Sequence, residues 1–282
     1  MSKQRSSDGN DPPIEPDQAL ARLRRHLSFL GMTHTLRALD EQLAWATRER
    51  PGPTALLEHI LGVEVDRKLE GRIARRIDTS GLRERKTLEA FDWNFQPSLD
   101  KGFVLELGRL DFVRRHDDLV ITGKSGTGKS HILKALGLRA CEQQISLRYT
   151  RGVDLFDDLF AGLGDGSYAS RLKSWARPEL LIIDDVGLGQ VKKRDDEPTA
   201  AHALFNLIDR RHGRVSTALT SNIAMSDWGH YLGDTTIAMA ILDRLAMHAL
   251  RVDINGPSYR NHIAEQRARK RGASKTEPSD LE

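Results

Sequence analysis

The octapeptide Gly123-Lys124-Ser125-Gly126-Thr127-Gly128-Lys129-Ser130 constrains this chain more than any other feature. It fits G-x-x-x-x-G-K-[ST] and lies directly after an apolar run and before a helical one. Glycines at these positions let the backbone curl until successive N–H groups converge, and the helix that follows adds the positive end of its dipole. Such a turn is a phosphate cradle, and it requires a strand ending at its first glycine and a helix opening at its last.

The sequence downstream keeps that rhythm. Apolar runs at 118–122, 147–150, 180–184 and 216–220 read as strands, with helical spacing from Gly128, over 153–160 and over 198–212. Alternating strands and helices predict an α/β domain: a parallel sheet with helices on both faces. Upstream, Leu20, Leu23, Leu27 and Leu30, then Leu36, Leu39 and Leu43, recur at three and four, and Pro51-Gly52-Pro53 punctuates before another helical stretch from Thr54. A small all-α domain of about four helices is expected there. The plan is a disordered arm over 1–17, a helical domain over 18–88, an α/β domain over 89–260 that opens on a linker-like stretch, 88–99, and a basic, frayed tail over 261–282.

With 282 residues, 39% of them hydrophobic, the chain can bury two cores. No apolar run approaches the ~20 residues that cross a bilayer, and the start is polar, so a cytoplasmic protein with no membrane partner is expected. The lone Cys141 excludes internal disulfides and cysteine-rich zinc sites and reads as a buried helix cysteine. Ten histidines occur without H-E-x-x-H spacing, which speaks against bound zinc. Trp45, Trp93, Trp175 and Trp228 are isolated, and packing explains each better than base stacking. Residues 18–90 hold fourteen Arg or Lys against ten Asp or Glu, clustered at Arg67-Lys68, Arg72, Arg75-Arg76, Arg83 and Arg85-Lys86. That cluster suits a DNA-facing surface or an ordinary solvated face with helix salt bridges; composition leaves both open.

The chemistry follows from six positions. Lys129 reaches the β- and γ-phosphates of ATP, and the Ser130 hydroxyl coordinates Mg²⁺. Leu180-Leu-Ile-Ile-Asp184-Asp185 runs four apolar residues into two carboxylates, the Walker B pattern: Asp184 holds Mg²⁺ through water and Asp185 polarises the attacking water. Asp185 is one methylene shorter than the glutamate common at this position, which bears on the rate of hydrolysis. Asn222 ends the strand at 216–220, where it would sit between the ends of the two motif strands as a γ-phosphate sensor, or else cap the next helix from near Ser226. Arg244, in the amphipathic Ile241-Leu-Asp243-Arg244-Leu245, would complete a neighbouring subunit's site as an arginine finger or pair with Asp243 or Asp209.

Together these motifs resemble a known family, the IstB-like ATP-binding proteins of insertion sequences, related to DnaC-type helicase loaders within AAA+. The resemblance rests on Leu30-Gly-Met32, Thr87-Leu-Glu-Ala-Phe91-Asp-Trp93 with Gln96-Pro97, the P-loop, the Walker B strand, Thr220-Ser-Asn222, Ser226-Asp-Trp228-Gly229, Ile241-Leu-Asp-Arg244-Leu245 and Gly256-Pro-Ser-Tyr259-Arg260. It implies an ATPase that forms homo-oligomers on duplex DNA with ATP at subunit interfaces, prepares target DNA and activates a partner transposase, IstA. It also implies that Phe91 packs on the adenine and that the small helical lid of larger AAA+ proteins is absent. A helicase loader and a nucleotide-gated scaffold with negligible hydrolysis are the alternatives. Two stretches depart from the family: Lys124-Ser125 replaces Pro-Pro or Ala-Pro, and the segment from Gly187 to Arg194 is unusually basic, a DNA-contacting loop or a variable turn.

Overall fold

The computed structural model describes residues 16–187 and 199–273; most of the basic segment after Gly187 lies outside them, as do most of the expected N-terminal arm and the end of the tail. The chain divides into two compact units, with the boundary between Arg72 and Ile73.

The first unit is helical: α1 (Pro16–Phe29), α2 (Thr33–Glu49) and the greater part of α3 (Pro53–Ser80). Pro16 and Asp17, expected in the arm, form the first turn of α1, where proline's fixed φ and missing N–H cost nothing. Three helices replace the expected four, because nothing after Pro53 breaks the chain and α3 runs 28 residues without interruption. Leu27 and Leu39 are buried. Glu64 on α3 caps α2: its carboxylate accepts the His34 and Thr35 N–H groups at 2.9 Å each, satisfying donors that the helix leaves open. Burial raises the Glu64 carboxyl, but the Thr35 N–H, Lys68 and the His34 N–H outweigh it and hold the group below the ordinary carboxylate range.

The second unit takes the end of α3 with it, so residues 73–88, expected in the helical domain, belong here; Ile77, Leu82 and Leu88 are buried in its cores. There follow α4 (Lys101–Leu107), α5 (Asp111–Arg114), β1 (Asp118–Gly123), α6 (Lys129–Glu142), β2 (Leu147–Arg151), α7 (Gly152–Gly164), α8 (Tyr168–Ala176), β3 (Leu180–Val186), α9 (Ala200–Arg211), β4 (Ser216–Ser221), a 3₁₀ turn (Met225–Asp227), α10 (Trp228–Leu232), α11 (Thr235–His248), β5 (Ala249–Ile254) and α12 (Tyr259–Ala273). Every strand pair is parallel, in the order β2-β3-β4-β1-β5.

The period of two decides which core each strand residue feeds. Val120, Leu181, Ile183 and Leu219 face the cluster built by α7 to α11, whereas Leu119, Ile121, Ile182 and Ala218 face the one built by α6 and residues 88–113. The sequence pattern did not single out β5. It is an edge strand whose Arg251 and Asp253 are exposed, so only Val252 and Ile254 of its side chains are deeply buried and its apolar signal is short.

Two expectations are corrected. The stretch 88–99 is no linker: Leu88, Phe91, Gln96 and Leu99 are all buried against the α/β core. The segment from Asn261 is helical through Ala273, because α12 is fastened at its start by a hydrogen bond from Tyr259 N–H to Gly126 O (2.9 Å). Cys141 is buried and free, and burial pushes its thiol pKa up. Trp175 and Trp228 are core residues, and Trp45 stacks on His59.

Candidate nucleotide site

β1 delivers the glycine-rich loop and α6 receives it, as the octapeptide required. Gly126 and Gly128 hold φ of +81° and +102°, open to glycine and costly for any other residue. Space demands glycine as well: a Cβ on Gly128 would lie 2.6 Å from Phe91 Cε2, and one on Gly126 would overlap Ser258 Oγ. Two segments distant in sequence thus close on the loop. Gln96 Nε2 ties them together by donating to Pro257 O at 2.9 Å. Phe91 packs against Trp93 and meets the His131 ring edge-on at 5.3 Å, while His131 Nε2 lies 2.8 Å from Thr87 O.

Lys129 is buried, and its ammonium donates to the loop carbonyls of Gly123 (2.7 Å) and Lys124 (2.9 Å). Burial lowers its pKa, opposed by the charges of Asp185 and Asp184, and the net position is below an ordinary lysine. Ser130 Oγ donates to Asp184 Oδ1 at 2.9 Å, which joins the phosphate loop to the Walker B strand. Asp184 accepts two more hydroxyls, Thr220 Oγ1 at 2.5 Å on Oδ1 and Tyr149 OH at 2.6 Å on Oδ2. Burial and the neighbouring Asp184 push the Tyr149 phenol far up, so it stays a donor at every physiological pH.

Asp185 points elsewhere because the strand breaks there. The β3–β4 register slips between Ile183 and Val186, and Asp185 takes φ +56°, a strained conformation for a non-glycine residue that concentrates at functional positions. Its N–H is held by Thr220 Oγ1 at 2.8 Å, and its side chain lines the cavity. Burial and the adjacent Asp184 raise its carboxyl, with Lys129 and Arg260 pulling the other way. β4 lies between β3 and β1 in the sheet, so its end falls between the two motif strands. There Ser221 Oγ donates to Ile223 O and receives the Trp228 indole N–H, fixing the turn that presents Asn222 to the cavity. Asn222 caps no helix: the N-cap of the following 3₁₀ turn is Ala224, and Asn222 Oδ1 is buried without a hydrogen-bond partner among the described residues.

The cavity these groups surround measures about 730 Å³, ample for a nucleotide. Ser125 through Ser130, Asp185 and Asn222 line it. Gly123 and Lys124 contribute carbonyls to Lys129, and Asp184 stands behind Ser130. Arg244 is not part of this cavity. It pairs with Asp209 on α9 at 2.9 Å and lies over the Phe205 ring. Tyr149 and Arg260 were not read as site residues from the sequence. Nothing in a strand's apolar pattern marks one tyrosine as a Walker B partner, and Arg260 follows the octapeptide by more than a hundred positions.

A parallel sheet of this order, with a phosphate loop after β1 and paired carboxylates ending β3, defines a P-loop nucleotide-binding protein of the AAA+ class. The chain matches the IstB-like ATP binding protein family over residues 25–267, and it belongs to that family. It is 34% identical over 236 residues to a putative insertion sequence ATP-binding protein, y4pL, of Sinorhizobium fredii, covering 84% of this chain and 94% of the relative. It is 31% identical over 234 residues to the putative ATP-binding protein of insertion sequence IS21 from Pseudomonas aeruginosa, covering 83% and 86%. Among solved structures it is similar to DnaI (TM-score 0.50, 20% identity, 62% of this chain and 92% of that one). The replication initiator DnaA bound to AMPPCP and single-stranded DNA is similarly related (TM-score 0.51, 19% identity, 67% and 56%). At these identities the structural likeness concerns the fold.

Proposed function

We propose that this chain is an ATPase that assembles on duplex DNA with ATP between subunits, prepares target DNA and activates a partner transposase of the IstA kind. The observation that carries the reading is the union of Ser130, Asp185 and Asn222 around one cavity, with Asp184 hydrogen-bonded to Ser130, in a chain whose relatives are named as insertion-sequence ATP-binding proteins. Glycines with open φ and a buried lysine suit a triphosphate. Ser130 and Asp184, already joined at 2.9 Å, are the oxygens that would hold Mg²⁺, which when bound neutralises phosphate charge.

Lys129 would exchange its two carbonyls for phosphate oxygens. Asp185 takes a proton from water as that oxygen bonds to the γ-phosphorus and the β–γ bridge breaks, leaving ADP and phosphate. Asn222 orients the same water or the γ-phosphate. Arg244 is proposed as the neighbour's finger: its pair with Asp209 is partly solvated, 29% and 52% exposed, so exchanging that partner costs little. The basic positions on α3 and after it supply phosphate contacts for DNA.

Sizing and pull-down of the purified full chain on linear duplex, with ATP, ADP or no nucleotide across a salt series, tests the reading. Large, salt-sensitive complexes that need ATP are expected, and Lys129→Ala abolishes them. Nucleotide-independent monomers that prefer single strands would favour a helicase-loading role instead.

A further inference from the structure

We infer that Thr220, on β4, is a positioning residue for hydrolysis: its hydroxyl holds the bulge in β3 that turns the Asp185 carboxylate away from the apolar core and into the nucleotide cavity. The inference rests on the ATP reading above and assigns a role to a side chain that does not itself line the cavity.

The period of two in β3 shows why something must hold Asp185. Leu181 and Ile183 face the core cluster built by α7 to α11, so an unbroken strand would send the next odd position, Asp185, into that same cluster. Val186 is packed there instead. The register accounts for the exchange: Ile183 pairs with Leu219 and Val186 with Ser221, so Asp184 and Asp185 together stand opposite Thr220. One extra residue in β3 reverses the faces beyond it, and a carboxylate that the pleat would bury in apolar surroundings lines the cavity.

A bulge leaves a backbone donor without its ladder acceptor. Thr220 supplies one from its side chain: Oγ1 receives the Asp185 N–H at 2.8 Å. The same hydroxyl gives its only proton to Asp184 Oδ1 at 2.5 Å, and because an ionised carboxylate only accepts, both bonds of Thr220 have a fixed direction. Asp184 Oδ1 adds a longer bond of 3.1 Å to the same Asp185 N–H. Asp185 sits at φ +56°, a left-handed conformation that a non-glycine residue keeps only where its surroundings hold it. Thr220 is fully buried, so water cannot stand in for its hydroxyl. Serine could make both bonds, whereas valine, of the same shape, could make neither.

The test compares Thr220→Val and Thr220→Ser in the full chain, alone and combined with Asp185→Asn. Steady-state ATP hydrolysis and equilibrium binding of a non-hydrolysable ATP analogue across a Mg²⁺ series are the readouts. Thr220→Val is expected to lower kcat by about tenfold to a hundredfold, the scale of a misplaced reacting group, with KM, analogue affinity and Mg²⁺ dependence kept within about threefold. Thr220→Ser keeps kcat within about threefold of the parent. In the Asp185→Asn chain, Thr220→Val costs nothing further, because residues that act as a unit are not additive. Thr220→Ala removes the same hydroxyl without demanding space and carries the same expectations if the valine chain does not fold. Equal losses for serine and valine, or a loss that persists beside Asp185→Asn, would overturn the assignment and leave the ATP site standing. A Mg²⁺ requirement that rises with the loss of kcat would overturn it too, by placing the effect at Asp184. An unmodified chain that binds no nucleotide would bring down the ATP reading and the role of Thr220 with it.

Discussion

Two buried charges sit at opposite ends of the same pair of strands. At the carboxyl ends of β3 and β4, Asp184 accepts hydroxyls from Ser130, Thr220 and Tyr149. At their amino ends, Arg211 is 1% exposed and donates to the carbonyls of Ala176 (3.0 Å), Pro178 (2.8 Å) and Ser216, and to Thr217 Oγ1 (2.9 Å). Burial pushes its guanidinium down to about 10. The partners differ in kind. Backbone carbonyls cannot turn away, so the arginine locks α9, the end of α8 and two strand entrances into one arrangement. Hydroxyls rotate, so the aspartate can exchange partners when a ligand arrives. One end is a closed network that holds the fold; the other is an open one beside a cavity.

Arg211→Ala should be the most damaging change, because it strands several buried carbonyls: a loss of about 3–5 kcal/mol, comparable to much of a domain's stability. Urea unfolding reads it, and Arg211→Lys is expected to restore little, since an ammonium cannot span the same acceptors. Preserved stability in Arg211→Ala would break the contrast.

Asp185→Asn should behave in the opposite sense. Turnover is expected to fall by about a hundredfold or more, while ATP-dependent assembly persists. A carboxyl raised above its unfolded value is a charge the fold tolerates at a cost when ionised; that cost is relieved as pH falls through the folded pKa. The asparagine variant should therefore melt higher than the parent at neutral pH, by a margin that shrinks in acid. A lower melting point would mean that Asp185 is structural.

Tyr149→Phe sharpens the picture of the open network. One hydroxyl of three is removed from Asp184, for about 1 kcal/mol of stability, and the expected functional readout is a changed Mg²⁺ requirement for nucleotide binding.

Glu64→Gln extends the contrast to the helical unit and is the smallest effect, about 0.5–1 kcal/mol at neutral pH. Because the Glu64 carboxyl lies below the ordinary carboxylate range, its contribution is present above that range and is lost as pH falls through the folded pKa. The difference between parent and variant should close in acid, in a thermal melt series.

The strands at 118–122, 147–150, 180–184 and 216–220 and the helix after the P-loop were legible because each carries its own periodicity or glycines. The helical unit was legible in kind but not in count, since Gly62 and Gly71 do not break α3. Lys129, Ser130, Asp184 and Asn222 could be named because local motifs mark them. Tyr149 and Arg260 could not: each reaches the site across the sheet or from the far end of the chain, and such contacts leave no local pattern. The buried stretch 88–99 was misread for a related reason. Its apolar residues, Leu88, Phe91 and Leu99, follow no regular period, so only their burial against α6 and the P-loop shows that they are core.

By itself the sequence determined the class of fold, the glycine-rich loop and the pair of carboxylates that ends a strand, because hydrophobic period and glycine placement act over a few residues. Tertiary structure alone decided the strand order that sets β4 between the motif strands, the bulge that separates Asp184 from Asp185, and the clamp of residues 87–96 and 256–260 on the loop. Those features are hydrogen bonds and close contacts between distant segments, and they exist only once the sheet has brought those segments together.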